Sequence, residues 1–262
     1  MLIADNLHVS LGRTEILHGV DVSAEPGALT VVIGPNGSGK TTLLRALTGE
    51  IAFQGAASIN GYNTRKTPAH ILAAQRGVLP QAASLSFPFT VFEVVRLGLT
   101  AGIHNDVDDE KRVLEALEAV DLIGFGSRFY HQLSGGEKQR VQLARALVQV
   151  WEPVFEGRPR YLFLDEPISS LDIKHQIQVL ETVRDYANAG GGVFAVLHDL
   201  NLTARFADAV YLMSDGRIVA RGSPETVLTE EHLSTVYGCA MRVYRSDDDG
   251  TLTIAPVLKK TG

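Results

Sequence analysis

The stretch Gly34-Pro35-Asn36-Gly37-Ser38-Gly39-Lys40-Thr41-Thr42 constrains the fold more than any other. It fits G-x-x-x-x-G-K-[ST], a loop whose glycines let backbone N–H groups turn inward on phosphate oxygens. Its flanks agree with that reading. Leu29-Thr30-Val31-Val32-Ile33 is an apolar, β-branched run suited to a buried strand. Leu43, Leu44 and Leu47 recur at helical spacing after the loop. A helix N-terminus there adds partial positive charge to the anion site. Lys40 is expected to reach the β- and γ-phosphates of a nucleotide, and Thr41 to offer its hydroxyl to Mg²⁺.

Bulk properties narrow the alternatives. With 262 residues the chain makes one or two domains with a sizeable core. A net charge of −6 and the lack of a basic stripe argue against nucleic acid as a partner. Cys239 is the only cysteine, which excludes an internal disulfide and a cysteine-rich metal site. No apolar run approaches the roughly 20 residues of a membrane-spanning helix. The segment Met1-Leu2-Ile3-Ala4-Asp5 lacks a secretory pattern. The expected location is therefore the cytosol or a membrane surface reached through another protein.

Along the chain, residues 2–33 read as strands with turns at Gly12-Arg13 and Pro26-Gly27; Leu7, Val9 and Leu11 alternate with polar residues. Ala57 to Ile59 and Gly77 to Leu79 read as short strands, with a short helix behind Pro68. Residues 88–150 change to helical spacing, with Val91, Val94, Val95 and Leu97 on one helix. Val113, Leu114, Leu117 and Val120 lie on the next, behind the acidic run Asp106, Asp108, Asp109, Glu110. That run suits a helix N-terminus better than a metal site. The β pattern returns at Tyr161-Leu162-Phe163-Leu164-Asp165-Glu166. A helix with Ile173, Ile177, Leu180 and Val183 on one face follows, and then the strand Val193 to Leu197. Alternating strands and helices predict an α/β fold with a mostly parallel core sheet and ligands at the carboxyl ends of its strands. The phosphate loop, Gln81, Asp165-Glu166 and His198 all fall at such ends. Asp247-Asp248-Asp249-Gly250 reads as a hairpin turn, since the spaced ligands of a calcium loop are missing.

An apolar strand ending in aspartate suits Mg²⁺ binding beside a phosphate loop, and Glu166 is placed to polarise an attacking water. Leu133-Ser134-Gly135-Gly136-Glu137-Lys138-Gln139-Arg140 opens another helix. Ser134-Gly135-Gly136 there makes either a second anion site or a plain helix cap.

This last octapeptide resembles the signature of ATP-binding-cassette (ABC) transporter ATPases, and the resemblance covers nearly the whole chain in the family order. Gln81 resembles the Q-loop glutamine, Ser169-Ser170-Leu171-Asp172 the D-loop, and His198 the switch histidine. The resemblance implies a P-loop NTPase with an N-terminal antiparallel β subdomain and an inserted helical subdomain. It implies one ABC ATPase domain over 1–262, with core segments 1–87 and 151–222, a helical subdomain 88–150 and a C-terminal extension 223–262. It implies a head-to-tail homodimer that sandwiches ATP and Mg²⁺. One chain supplies Gly34 to Thr42, Gln81, Asp165, Glu166 and His198; the other supplies Ser134, Gly135, Gly136 and Glu137, with Asp172 at the dimer contact. Thr41, Gln81 and Asp165 are the expected metal residues, and Glu166 and His198 the expected catalytic ones. Two transmembrane permease subunits are implied as partners, contacting the helical insert and the region after Gln81. A periplasmic or external substrate-binding protein is implied indirectly. The implied place is peripheral, on the cytoplasmic face of the inner membrane. Leu197-His198-Asp199-Leu200-Asn201 resembles importers of iron chelates, haem and cobalamin, and Trp151 to Pro159 lengthens its connection as in haem-import ATPases. Iron-siderophore or cobalamin import and a soluble, non-transport cassette are the alternatives. In one respect the chain departs from the pattern: Leu11 stands where the family has an adenine-stacking aromatic, and His8 and Tyr62 are candidate replacements.

Overall fold

A computed structural model describes residues 1–81, 87–101, 108–247 and 250–257. In chain order it runs β1 (Leu2–Leu11), β2 (Thr14–Ala24), β3 (Leu29–Ile33), α1 (Lys40–Leu47), β4 (Gln54–Ile59), β5 (Tyr62–Asn63), α2 (Ala69–Ala73) and β6 (Arg76–Leu79). Then come α3 (Val91–Ala101), α4 (Asp109–Ala119), α5 (Gly135–Gln149), β7 (Val154–Phe155), β8 (Arg158–Pro159) and β9 (Tyr161–Asp165). They are followed by α6 (Ile173–Asn188), β10 (Gly192–Val196), α7 (Leu200–Phe206), β11 (Ala209–Ser214) and β12 (Arg217–Gly222). A C-terminal unit holds α8 (Pro224–Val227), α9 (Glu230–Tyr237), β13 (Met241–Arg245) and β14 (Leu252–Pro256).

Among the described residues the core is a sheet of order β12-β11-β3-β10-β9-β6, parallel except where β12 pairs with β11. Every residue of β3, β9 and β10 is buried, because both faces are covered. Pleating sends alternate side chains to two separate cores. Val31, Leu162, Leu164 and Ala195 pack with the helices. Val32, Phe163, Phe194 and Val196 pack against α1 and the antiparallel sheet β2-β1-β4-β5. Register then brings the functional ends together: Val196 lies beside Val32 and Asp165, and Leu164 beside Leu79.

Several apolar positions differ from the sequence reading. Leu11 is 48% exposed, since β1 ends there in the Gly12-Arg13 turn. Ile173 is 75% exposed and Ile177 38%; the buried stripe of α6 starts only at Val179. The first turns of α6 therefore overhang the core. Leu97 and Leu114 are also exposed, because α3 and α4 bury their other sides in the helical core. The segment 151–159 is a small hairpin rather than a plain connection. Glu156 and Gly157 have φ of 50° and 74°, which suits a two-residue turn between β7 and β8. Trp151 packs on the helical core with the Arg112 guanidinium 5.5 Å from its ring. Asp108 caps α4, as the acidic run predicts, accepting from the Glu110 and Lys111 amides. Asp106, Asp248, Asp249 and the residues directly after Gln81 lie outside the described residues. β13 and β14 pair antiparallel on either side of 246–251, as far as Arg245 and Leu252.

Candidate functional site

The loop between β3 and α1 is shaped for close approach. Gly34 has φ 150°, and a Cβ on it would stand 2.1 Å from the Met213 carbonyl oxygen. α1 starts behind Gly39 with no side-chain cap and no acidic residue in its first turn. Its leading N–H groups are thus left for an anion. Lys40 is 6% exposed and donates to the carbonyls of Gly34 and Pro35, both at 2.9 Å. Burial lowers its pKa, and the nearby Glu166 and Asp165 charges oppose that shift. The Ser38 hydroxyl oxygen is buried and has no hydrogen-bond partner among the described residues.

A cleft of about 640 Å³ opens over this loop. Asn36, Gly37, Gly39, Lys40, Thr41, Thr42, Gln81, Glu166 and His198 line it, with Ile16 as the apolar wall. Such a volume suits a nucleotide-sized ligand. Asp165 ends β9 at 2% exposure and accepts from the Thr41 hydroxyl at 3.2 Å. Burial raises its pKa above the ordinary carboxylate range, and the Thr41 bond and the Lys40 charge only partly offset this. Glu166 follows in the left-handed region, φ 52°. One carboxylate oxygen of Glu166 meets the His198 Nε2 at 2.7 Å and accepts from the Gln81 amide at 3.1 Å. Two residues far apart in sequence, Gln81 and His198, thus converge on one atom of a third at the sheet edge.

Ser134, Gly135, Gly136 and Glu137 are not among the lining residues of this cleft. They form a complete capping box: Ser134 Oγ accepts from the Glu137 amide, and the Glu137 carboxylate accepts from the Ser134 amide at 2.7 Å. The Ser134 backbone bond is the main reason the Glu137 pKa is lowered. Within one chain, the cap is the realised role of this segment, and the Glu137 carboxylate is committed to it. Asp172 caps α6 without a capping box, accepting from the His175 amide at 3.0 Å.

Sequence reasoning missed Gln139. Its amide donates to the Glu166 carbonyl at 2.5 Å and accepts from the Ser170 amide at 3.2 Å. It ties the signature helix to the turn that carries Glu166 and to the D-loop segment. Gly136 allows this approach, since a Cβ there would stand 2.9 Å from the Ser170 carbonyl oxygen. Nothing in local spacing announces such a contact. Ile16 was missed for the same reason. Of the candidate stacking rings, His8 is held by Glu15 at 2.8 Å and Asn6 at 3.1 Å. Tyr62 accepts from Arg158 at 2.8 Å and lines a separate cavity.

A family model described as ABC transporter matches residues 17–169. The chain is 53% identical over 265 residues to the hemin import ATP-binding protein HmuV of Jannaschia sp. (strain CCS1), covering 100% of this chain and 97% of that protein. It is 56% identical over 243 residues to the protein of the same name from Roseobacter denitrificans, covering 92% of each. Among solved structures, a dimeric bacterial ABC transporter cassette aligns with TM-score 0.75 at 27% identity, over 86% of this chain and 99% of that one. A metal-chelate type ABC transporter in an inward-facing conformation aligns with TM-score 0.78 at 24% identity, over 98% of both chains, which bears on the fold alone. Phosphate loop, paired carboxylates, signature cap and end-to-end similarity agree, and the chain belongs to the ABC transporter family as an ATPase cassette.

Proposed function

We propose that this chain is the ATP-hydrolysing subunit of a haem importer, driving a membrane permease. The observation that carries the catalytic part is the convergence of Gln81 and His198 on the Glu166 carboxylate beside the phosphate loop. The loop amides and Lys40 take the phosphates, with Lys40 exchanging the Gly34 and Pro35 carbonyls for phosphate oxygens. Glu166 orients the attacking water and accepts its proton. His198 holds that carboxylate in place and reaches the γ-phosphate. The products are ADP and phosphate. Thr41, Asp165 and Gln81 would hold Mg²⁺. The buried Asp165, its pKa raised by that burial, and the Thr41 hydroxyl beside it are a fitting oxygen donor pair. When bound, the ion neutralises charge on the β- and γ-phosphates.

Two copies pair head to tail, so that Ser134-Gly135-Gly136 of one closes over the phosphates held by the other. Asp172 lies at that contact. Two permease subunits take up the motion, and an external binding protein delivers the cargo. The chain then sits peripherally on the cytoplasmic face of the inner membrane; no described helix is long and apolar enough to cross a membrane. Haem is favoured as cargo because relatives of matching length are named hemin import ATP-binding protein. The test is reconstitution of this chain with its permease in liposomes. ATP-dependent uptake of haem is the expected result. Uptake of a ferric siderophore or cobalamin, and not of haem, would overturn the cargo.

Base recognition carries a separate expectation. Ile16, the apolar wall of the cleft, offers the adenine only dispersion and burial; Leu11, which stands where the family has its aromatic, is exposed and is not among the residues lining the cleft. Aromatic stacking adds ~0.5–1.5 kcal/mol beyond area burial, so Leu11→Tyr is expected to tighten ATP binding roughly 2- to 13-fold. Its kcat should hardly change, since the base is remote from the reacting phosphate. Dissociation constants for ATP and GTP, wild type against Leu11→Tyr, check this. A wild type already strongly selective for ATP, with Leu11→Tyr no tighter, would show that another group reads the base.

A further inference from the structure

His198 is the single residue between two fixed points. Leu197 donates its amide to the Val32 carbonyl at 3.2 Å, which anchors it to the core sheet. Asp199 caps α7, accepting from the Leu202 amide at 2.8 Å. The position of α7 therefore helps set where the His198 ring stands. α7 is only seven residues long, too short to be stable alone, so its neighbours hold it.

Those neighbours include the C-terminal hairpin. Asn201, the last residue of the Leu-His-Asp-Leu-Asn run, faces β14 at Ile254. Its side-chain oxygen accepts from the Ile254 amide at 2.7 Å, and its NH₂ donates to the Ile254 carbonyl at 3.3 Å. Ile254 pairs with Val243 across the hairpin, and both turn their amides outward. Val243 donates its amide to Glu230 at 3.2 Å, so side chains close both outer edges at one register. Asn201 thus acts as a one-residue strand. Beneath it, Leu252 and Ile254 are buried in the same core as Phe206 of α7. The C-terminal unit also reaches the other side of the site. The Tyr237 hydroxyl is buried beside the Gly34 backbone at the start of the phosphate loop, without a fully formed hydrogen bond.

We propose that Asn201 is a positioning residue: by fastening α7 to the outer edge of the C-terminal hairpin, it holds His198 on Glu166 and makes hydrolysis depend on the C-terminal unit. This rests on the reading of His198 as a catalytic-site residue. The contact to be preserved is the 2.7 Å approach of His198 to Glu166, which tolerates a displacement of only ~0.5 Å.

The test measures kcat for ATP hydrolysis and the ATP dissociation constant on the full chain, assembled with its permease. Asn201→Ala is expected to lower kcat ~10- to 100-fold, as misplacement by about 1 Å does. ATP affinity should stay within ~2-fold, because the phosphate loop is untouched. Asn201→Asp keeps the acceptor for the Ile254 amide and should lie closer to wild type than Asn201→Ala. In a His198→Ala chain, adding Asn201→Ala should cost nothing further, since the two share one route. Unchanged kcat in Asn201→Ala would overturn the proposal, as would losses that add in the double variant or a matching loss of ATP affinity. Should Asn201→Ala not fold, Asn201→Asp and Asn201→Ser replace it, and wild-type kcat in both overturns the proposal. A His198→Ala chain with wild-type kcat, beside an Asn201→Ala chain that has lost it, would place the failure in the reading of His198 and overturn the route through it.

Discussion

Glu166→Gln is expected to retain ATP binding and to lose hydrolysis, with kcat falling ~10²- to 10⁴-fold, the usual contribution of a positioned general base. The substitution changes one oxygen to NH₂ and removes the charge. The Gln81 and His198 bonds both end on a single carboxylate oxygen, so an amide keeps the shape of the site but not its basicity. The backbone should not move. The Glu166 amide donates to the Val196 carbonyl at 3.2 Å, and its own carbonyl accepts from the Gln139 amide. The left-handed conformation of Glu166 is therefore held by neighbours and not by its own side chain. Binding is expected to rest on the loop amides and on Lys40, which is hydrogen-bonded to the Gly34 and Pro35 carbonyls and feels Glu166 only through its charge. An ATP-bound dimer should then accumulate, seen by size-exclusion chromatography, while phosphate release reports kcat. Near-wild-type turnover would remove Glu166 from its assigned role.

The contrast between Glu166 and Gln139 shows what the sequence makes legible. Glu166 is found from two local facts, an apolar strand and its carboxyl end. The parallel sheet then does the rest, because register places every strand end on one edge. The same logic locates Gln81 and His198. Gln139 acts across 27 residues of chain through its side chain, and no periodicity encodes that pairing. Asn201 is similar: its partner is a backbone group 53 residues away, in a unit whose docking the sequence does not state. Exposure at Leu11, Ile173 and Ile177 was unreadable for a different reason. Hydrophobic spacing finds the element, but only the packed neighbours decide how far along it the core extends. The hairpin at 151–159 was missed because its strands are two residues each, too short to show alternation. The resemblance carried the signature further than the residues alone did. In one chain the residues show a capping box; in the proposed head-to-tail pair a second chain would give it a nucleotide to face.

That second chain supplies the other large effect. In the isolated cleft the phosphate loop holds one side, and none of Ser134 to Glu137 lines the opposite side. If a partner's signature helix closes the cleft, a pair of cysteines placed across that contact should form a disulfide only when ATP draws the halves together. Asn36 is exposed and lines the cleft, and Ser134 is exposed at the helix cap. By contrast Ser38, in the same loop, is 3% exposed and unsuited to a crosslink. The exposed Cys239 must be removed first to avoid a competing disulfide. In a Cys239→Ser, Glu166→Gln background, Asn36→Cys with Ser134→Cys is expected to give a covalent dimer with copper–phenanthroline as oxidant. ATP should produce it, while ADP and the absence of nucleotide should not. Ser134→Arg is the functional counterpart. It removes the cap, at a cost of ~0.5–2 kcal/mol to α5. It also fills the anion site with a bulky side chain. ATP binding to the loop of the same chain should survive, since Ser134 does not touch it, while hydrolysis should fall to the level of Glu166→Gln. A covalent dimer that forms equally without nucleotide, or full hydrolysis in Ser134→Arg, would mean that each chain completes its site alone.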